Sequence, residues 1–286
     1  MEPIKQISGL ESIYDDYEIF LVDAWGVLHD GANCYPGVNH CLEQLAGQGK
    51  QVVVLSNAAR RQEAISQELG RQGITRNMYR KVVSSGELTW QALQGGHSAV
   101  QIGETGYYLG PERSKSILDG LNFRWLEAVE GACFVLNTGA PVGNPRNSNS
   151  LIPLLEKMVS MKLPMICANP DQVAVRSGKL GISAGAIARH YHSLGGETVI
   201  YYGKPHAEIF EMAAGAGKDI DKSIVLMVGD AFETDIAGAV NYGIDSLLIT
   251  GGIHDVELKP LCEETVARYA DIYGARPNYF CRYFSY

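Results

Sequence analysis

The sequence predicts an α/β protein built on a doubly wound parallel sheet. Short runs of branched aliphatic residues alternate with segments whose apolar residues recur at helical spacing, and two of the apolar runs end in an aspartate. Such alternation is typical of parallel strands joined by crossover helices. The predicted strands of this sheet cover residues 18–23, 51–56, 81–84, 198–203, 223–229 and 246–250.

Helices are predicted between these strands wherever one face of a segment is apolar. In residues 38–48 the apolar side chains fall on one helical face, and Gly49 follows as a stop signal. The other helices predicted for this part of the chain cover residues 60–71, 206–214 and 235–242.

The middle third of the chain is predicted to form a second α/β domain inserted into the first. About one hundred residues suffice for a separate core. Its predicted strands cover residues 99–103, 132–137, 165–168 and 173–176, and its predicted helices cover 149–161 and 184–194. We therefore predict a core of residues 1–86 and 196–286 and an insert of residues 87–195.

Composition excludes several classes of protein. The chain has 286 residues, is 46% hydrophobic, and carries 24 basic against 32 acidic residues, a formal charge of −8. We therefore expect a globular protein with no nucleic-acid partner and no membrane partner. Because the sequence lacks an apolar span and the amino terminus lacks a signal-peptide pattern, a cytoplasmic location is expected. The six cysteines show no C-x-x-C pairing and are expected to be reduced thiols.

Asp23 and Asp230 each follow an apolar run that is predicted to be a strand. The carboxyl ends of parallel strands share one edge of a sheet, so carboxylates remote in sequence can converge there on a cation and a phosphate. Mg²⁺ prefers such oxygen ligands together with phosphate and water. The two acids therefore predict a metal site at this edge.

Four segments, in this order, resemble the four motifs of the haloacid dehalogenase (HAD) superfamily. They are VDAWGVL at residues 22–28, VVLSN at 53–57, GKP at 203–205 and GDAFETD at 229–235. The long insert before the third segment contains ANPD at 168–171 and resembles the class IIA cap of the sugar-phosphatase and para-nitrophenyl phosphatase-like branch. The resemblance implies a Rossmann-like core, an inserted cap and hydrolysis of phosphate esters.

The resemblance also implies the catalytic groups. Asp23 is the expected nucleophile that carries a covalent phosphoryl group, and Lys204 is expected to place its ammonium against Asp23 and the phosphate. Mg²⁺ is the expected cofactor, bound by Asp23, Asp230 and the backbone carbonyl of Trp25. Asp235 is expected to contact it through water or through another ligand, although a helix cap formed with Thr234 explains Asp235 about equally well.

Four further polar residues are candidates for binding phosphate or substrate. Ser56 and Asn57 precede the predicted helix at 60–71, and the free amides of a helix start can cradle a phosphate. A plain amino-terminal cap explains Ser56 equally well. Asn169 and Asp171, near the end of the insert, are candidates for facing the substrate, but an Asn-Pro turn is at least an equally good explanation.

Trp25 departs from the phosphatase pattern. In the phosphatases that this chain resembles, the residue two after the nucleophile is an Asp that protonates the leaving oxygen and later activates water. An indole N–H donates a hydrogen bond but does not exchange roles as acid and base. Since losing general acid–base help costs about 10² to 10⁴ in rate, alkyl phosphates are expected to turn over slowly. Aryl and acyl phosphates should suffer least in the first step.

The expected function is therefore a Mg²⁺-dependent phosphatase that acts slowly, through an aspartyl-phosphate, on a small phosphorylated metabolite such as a sugar phosphate, nucleotide or aryl phosphate. Similar class IIA proteins associate through their caps, which implies a homodimer. The alternative is a phospho-ligand binding or sensing protein in which Trp25 fills the pocket. Carbon–halogen cleavage and phosphonate hydrolysis are disfavoured because Asp230 and Asp235 are retained.

A third hypothesis is a serine hydrolase. The segment GISAG at residues 181–185 matches the G-x-S-x-G elbow around Ser183, and Asp230 and His254 follow it in the chain. The elbow needs a strand that leads directly into the serine, whereas residues 176–180 are predicted to be a polar turn. The aromatic carboxyl-terminal segment, residues 279–286, is expected to pack against the core rather than to bind a partner.

Overall fold

The computed structural model describes residues 3–95, 102–143, 145–176, 179–215 and 220–286. The chain divides into two compact units. The core unit comprises Met1–Ser56, Glu63–Val83 and Lys204–Tyr286, and the inserted unit comprises Asn57–Gln62 and Ser84–Gly203.

Strands and helices alternate along the chain, as the sequence predicts. The strands are β1 (Lys5–Gln6), β2 (Ile19–Val22), β3 (Gln51–Ser56), β4 (Lys81–Ser84), β5 (Thr105–Leu109), β6 (Arg124–Leu126), β7 (Phe134–Asn137), β8 (Met165–Cys167), β9 (Val173–Arg176), β10 (Lys179–Ile182), β11 (Val199–Tyr201), β12 (Val225–Gly229), β13 (Asp245–Ile249) and β14 (Tyr279–Cys281). The α-helices are α1 (Val38–Gly47), α2 (Gln62–Arg71), α3 (Ser85–Gln94), α4 (Ile152–Ser160), α5 (Ala184–Ser193), α6 (Ala207–Ala214), α7 (Ala237–Tyr242) and α8 (Glu263–Tyr273).

The core unit is built on a seven-stranded sheet with the strand order β1-β14-β13-β12-β2-β3-β4. Strands β12 and β2 lie side by side and run parallel, with Val228 opposite Val22. Both strands are apolar and buried along their whole length, as expected for parallel strands covered on both faces. The strand order reverses between β2 and β12, and ligands of doubly wound sheets bind at such a switch point.

Amphipathic helices and an aromatic carboxyl terminus complete the core unit. Helix α1 buries Val38, Cys41, Leu42 and Leu45 on one face, which confirms the predicted helix. The carboxyl-terminal segment forms β14, which pairs with β13, and Phe284 beyond it is buried. The expectation that this aromatic segment packs against the core is therefore confirmed.

The inserted unit has a sheet of its own with the order β11-β8-β7-β5-β6, and its strand pairs are parallel. Side chains of β7 alternate between its two faces: Val135 packs with α4 and α5, whereas Phe134 packs in a cluster with Trp125 and Phe123. Strands β9 and β10 form a separate antiparallel pair. The predicted second α/β domain thus has two apolar clusters, one on each face of its sheet.

The observed units differ from the predicted boundaries. Strand β11 pairs with β8 in the inserted unit, although the sequence assigned residues 198–203 to the core sheet. The inserted unit therefore ends at Gly203 rather than at residue 195 and begins its long segment at Ser84 rather than at residue 87. It also includes Asn57–Gln62, which the sequence assigned to the core. The apolar residues of a short strand do not reveal which sheet it joins.

Some elements were missed or misplaced. The strand predicted at 99–103 falls largely outside the described residues, and β5 begins at Thr105 instead. Helices α3 and α8 and strands β1, β6, β10 and β14 were not predicted, and β10 begins at Lys179, within residues that were predicted to form a polar turn. Within the described residues no helix has the length and apolarity needed to cross a membrane, and all six cysteines are free thiols.

Candidate active site

Asp23 and Asp230 lie at the same edge of the core sheet. Asp23 directly follows β2 and Asp230 directly follows β12, and the backbone N–H of Asp23 donates a hydrogen bond to the carbonyl oxygen of Val228 at 2.9 Å. Both carboxylates are buried. The convergence that the sequence predicted for these two acids is therefore confirmed.

Lys204 connects this edge to two carboxylates and one strand end. Its Nζ donates to Asp23 Oδ1 at 2.5 Å, to Asp235 Oδ1 at 2.7 Å and to the carbonyl oxygen of Leu55 at 3.0 Å. The Lys204 side chain is 2% exposed. Burial lowers the pKa of Lys204, but the charges of Asp23 and Asp235 more than offset that effect, so this pKa lies above its ordinary value. Lys204 is therefore a buried ammonium held by two carboxylates.

Asp235 is fixed by the turn that follows β12. A π-helical turn spans Phe232–Ile236, and such turns occur frequently at functional sites. The second carboxylate oxygen of Asp235 accepts hydrogen bonds from the backbone N–H groups of Asp230 and Ala231, both at 3.1 Å. These donors precede the turn, so Asp235 does not act as a simple cap for α7. Its contact with a metal stays a prediction.

Three carboxylates and one ammonium thus form a group that we call the acid–lysine cluster: Asp23, Lys204, Asp230 and Asp235. One ligand oxygen from each acid lies within 4.8 Å of the others. Burial raises the pKa of Asp230 well above its ordinary value, and the charges of Asp23 and Asp235 raise it further. Three acids against one lysine leave an excess of negative charge that a divalent cation would neutralise.

Two glycines make room for the Asp230 carboxylate. A Cβ at Gly26 would lie 1.9 Å from Asp230 Oδ2, and a Cβ at Gly252 would lie 2.1 Å from the same atom. Ile253 donates its backbone N–H to this oxygen at 2.7 Å. The residues present therefore fit a bound Mg²⁺, which needs oriented carboxylate oxygens. The Trp25 carbonyl as a further ligand stays a prediction.

The indole of Trp25 is partly buried, two residues after Asp23. Its Nε1 is inaccessible to solvent and has no hydrogen-bond partner among the described residues. A Cβ at Gly31 would lie 3.4 Å from that nitrogen, so the chain at Gly31 passes close to the indole edge. The side chain at this position is therefore an aromatic ring that offers one hydrogen-bond donor and no acidic group.

Ser56 ends β3 and is buried, but it does not stand at a helix start. Helix α2 begins at Gln62, later than the predicted residue 60. The first backbone N–H of α2, that of Gln62, already donates a hydrogen bond to Glu87 Oε2 at 3.4 Å. The helix-start cradle predicted after Ser56 and Asn57 is therefore wrong in its geometry. Phosphate binding by these two residues stays a prediction.

In the inserted unit, three polar side chains form a group that we call the Asn57 network. Asn57 Nδ2 donates to Asp171 Oδ1 at 2.7 Å, and Ser85 Oγ donates to Asn57 Oδ1 at 2.9 Å. Asn169 Oδ1 accepts the backbone N–H of Asp171 at 2.9 Å, which is the Asn-Pro turn considered from the sequence. A role of Asn169 and Asp171 toward the substrate stays a prediction.

The surroundings of Ser183 differ from the sequence prediction. Strand β10 leads directly into Ser183 and α5 follows it. Residues 179 and 180, predicted to belong to a polar turn, are strand residues, and residues 177 and 178 of that turn lie outside the described residues. Ser183 is nevertheless only 1% exposed, whereas an elbow serine must reach its substrate. Close packing explains why residue 185 is glycine, since a Cβ there would lie 2.0 Å from the carbonyl oxygen of Pro170. The motif packs against the Asn169–Asp171 turn.

Sequence reasoning missed the glycines and the amide that orient Asp230. Gly26 lies inside the first motif, and its positive φ of 85° is a conformation that favours glycine. Gly252 belongs to a Gly-Gly pair after β13, and such a pair only weakly indicates that the backbone passes close to another group. Ile253 gave none, because its contribution is a backbone N–H.

Two family models match the chain. A haloacid dehalogenase-like hydrolase model matches residues 20–124, and a HAD-hydrolase-like model matches residues 201–277. A solved structure of a haloacid dehalogenase-like hydrolase from Brucella suis 1330 is 30% identical, with a TM-score of 0.84, and the match covers 97% of this chain and 99% of that one. The chain belongs to the haloacid dehalogenase-like family.

Other proteins similar to this HAD-like hydrolase have more specific names. Chronophin of Rattus norvegicus is 25% identical over 268 residues, covering 87% of this chain and 82% of the relative. An acid sugar phosphatase of Staphylococcus haemolyticus is 24% identical over 245 residues, covering 85% of this chain and 88% of the relative. Membership in the HAD-like family confirms the resemblance drawn from the motifs, the α/β core with a class IIA cap, and the expectation of a hydrolase.

Proposed function

We propose that this protein is a Mg²⁺-dependent phosphatase that hydrolyses a small phosphorylated metabolite through an aspartyl-phosphate at Asp23. The observation that carries the proposal is the acid–lysine cluster. A buried lysine is bound to Asp23 and Asp235, with Asp230 beside them. This arrangement supports the proposal because a nucleophile, a cation for phosphate oxygens and ligands for a metal would then lie in one place. The similarity to an acid sugar phosphatase supports a phosphorylated sugar as one candidate substrate class, beside nucleotides and aryl phosphates.

The reaction proceeds in two displacements. In the first, a carboxylate oxygen of Asp23 attacks phosphorus, an oxygen–phosphorus bond forms, and the bond to the leaving oxygen breaks with its electron pair. In the second, water attacks the same phosphorus, the bond to Asp23 breaks, and phosphate leaves while the water proton passes to solvent or phosphate. Covalent catalysis of this kind divides one difficult hydrolysis into two easier steps.

The side chains around Asp23 have separate tasks. Lys204 holds Asp23 and can contact a phosphate oxygen, and Asp235 in turn holds Lys204. A Mg²⁺ bound by Asp23 and Asp230 would reduce the repulsion between the nucleophile and the phosphate. Ser56, the last residue of β3, and Asn57, the residue after it, are the proposed hydroxyl and amide donors to phosphate.

Trp25 limits the substrates. It cannot protonate a leaving oxygen, so leaving groups that are stable as anions should react fastest in the first step. We therefore propose aryl or acyl phosphates as the best substrates and alkyl phosphates as slow ones. The absence of an acid at this position favours a second candidate function, a phospho-ligand binding or sensing protein without turnover.

An assay with para-nitrophenyl phosphate and Mg²⁺ separates these functions. The proposal expects release of para-nitrophenolate that requires Mg²⁺ and is lost in Asp23→Asn. A wild-type protein that is inert, together with Trp25→Asp that gains turnover, would support the binding function instead. Metal-independent ester cleavage that is abolished by Ser183→Ala would contradict both and support a serine hydrolase.

A further inference from the structure

The loop that follows β13 contacts the Asp230 carboxylate through its backbone. We call residues 251–254 the glycine loop; they are Gly251, Gly252, Ile253 and His254. The Ile253 N–H donates to Asp230 Oδ2 at 2.7 Å, a short distance for an amide and typical of a bond to a charged acceptor. Because Asp230 is buried, this hydrogen bond restricts its carboxylate to one rotamer.

Gly252 is required by the closeness of that carboxylate. A Cβ at this position would lie 2.1 Å from Asp230 Oδ2 and 2.4 Å from Asp230 Cβ. Its φ does not fall in the left-handed region, so the backbone of Gly252 is accessible to any residue. The requirement for glycine therefore comes from the space that Asp230 occupies and not from backbone strain.

Both ends of the glycine loop are anchored in the core unit. Gly251 N–H donates to the carbonyl oxygen of Arg282 at 2.9 Å. At the other end the His254 ring lies against Phe232, with ring centroids 5.2 Å apart, and its Nδ1 is 2.5 Å from Glu257 Oε2. Since Phe232 is two residues after Asp230, His254 steadies the same segment that carries the acid.

We infer that the glycine loop positions a metal ligand: Gly252 and Ile253 hold Asp230 in one orientation through Oδ2, which directs Oδ1 to the cation, and His254 anchors the loop. The inference rests on the proposed function, which makes Asp230 a Mg²⁺ ligand. Groups that orient metal ligands without touching the metal typically contribute about 10- to 100-fold in metal affinity. None of these residues belongs to the four motifs that identified the family.

Calorimetric titration of Mg²⁺ without substrate tests the inference. Gly252→Ala adds one methyl against the carboxylate and should weaken Mg²⁺ binding by about 10-fold or more. Gly70→Ala is the matched control, because a Cβ at Gly70 meets nothing within 4 Å. It should bind Mg²⁺ like the wild type. A folded Gly252→Ala protein with wild-type Mg²⁺ affinity would overturn the inference.

A second variant decides the matter if Gly252→Ala does not fold. His254→Ala removes the anchor and leaves the loop backbone, so Mg²⁺ affinity should fall by about 3- to 10-fold, whereas the exposed His40→Ala should leave it unchanged. Unchanged affinity in a folded His254→Ala protein would overturn the anchor role. Wild-type protein that binds Mg²⁺ but releases no para-nitrophenolate would refute the proposed function alone, and wild-type protein that binds no Mg²⁺ would refute both.

Discussion

The acid–lysine cluster of the core unit is buried and the Asn57 network of the inserted unit is buried except for the half-buried Asp171, yet the two differ in their balance of charge and hydrogen bonds. The cluster has three carboxylates and one ammonium, which binds only Asp23 and Asp235. The pKa of Asp230 is raised because burial and the neighbouring charges oppose its ionisation. In the network, the Asn57 amide donates to Asp171 and accepts from Ser85. A buried group of excess charge is costly unless a cation completes it, whereas a network of matched donors and acceptors is stable alone. The difference leads us to expect that the cluster needs a bound cation, whereas the network holds the Asn57 side chain in place without one.

Lys204→Met should have the largest effect on stability and on turnover. It leaves Asp23 and Asp235 buried without their cation, so the free energy of unfolding should fall by about 3–5 kcal/mol and turnover should be lost. Urea unfolding measures the loss. The control is Lys115→Met, whose ion pair with Glu112 is on the surface and should contribute less than about 1 kcal/mol. Equal stability of the two variants would show that the cluster is not charge-coupled.

Trp25→Asp should restore an acid beside the cluster. We expect the rate for an alkyl phosphate to rise by about 10²-fold, with a smaller gain for para-nitrophenyl phosphate, because phenolate leaves without a proton. Steady-state kinetics on the two substrates measure the ratio. Trp25→Phe, which removes the indole N–H but supplies no acid, should give no gain. A uniform change on both substrates would contradict the assigned role of this position.

The sequence predicted one of the two networks much better than the other. Asp23, Asp230 and Lys204 follow from motif order and from the rule that parallel strands share a carboxyl edge, and the structure brings them together. The Asn57 network could not be predicted, because Ser85 reaches Asn57 through a helix that the sequence analysis missed. The residue types of this network are ordinary turn formers, so nothing in their local pattern indicates a tertiary contact.

The helices and strands were likewise predictable only where they depend on local sequence. Strands β3, β4 and β9 have the predicted bounds, since their alternating or continuous apolar residues are a local property. Membership of β11 in the inserted sheet depends on its pairing with β8, which local sequence does not encode. The glycine loop acts on Asp230 through a backbone amide and through the absence of a side chain, neither of which is a motif.

Asp171→Ala should have a moderate effect on stability and none on metal binding. Removing a charged acceptor from the buried Asn57 amide should lower the free energy of unfolding by about 1.5–3 kcal/mol, while Mg²⁺ affinity stays at the wild-type value. Denaturant unfolding and Mg²⁺ titration test both parts. The exposed Asp119→Ala serves as control and should change stability by less than about 0.5 kcal/mol. Loss of Mg²⁺ affinity in Asp171→Ala would contradict the expectation that the Asn57 network is independent of metal binding at the acid–lysine cluster.

The smallest expected effect is the pH dependence of metal binding. Burial, then the charges of Asp23 and Asp235, raise the pKa of Asp230, so the metal-free native state holds more protons than the unfolded chain above the ordinary carboxyl range. Its free energy of unfolding should therefore fall as pH rises towards neutrality, and Mg²⁺ affinity should rise over the same interval. Unfolding curves at several pH values, with and without Mg²⁺, measure this. Asp230→Asn should remove most of the pH dependence, and a slope that persists in that variant would contradict the assignment.

Detection of the phosphorylated intermediate tests the proposed reaction most directly. The protein is mixed with para-nitrophenyl phosphate and Mg²⁺, quenched in acid within one turnover, and digested for mass spectrometry. The account predicts a phosphate attached to the peptide that contains Asp23, absent without Mg²⁺ and absent in Asp23→Asn. Turnover with no phosphate on that peptide, or a phosphate attached elsewhere, would contradict it.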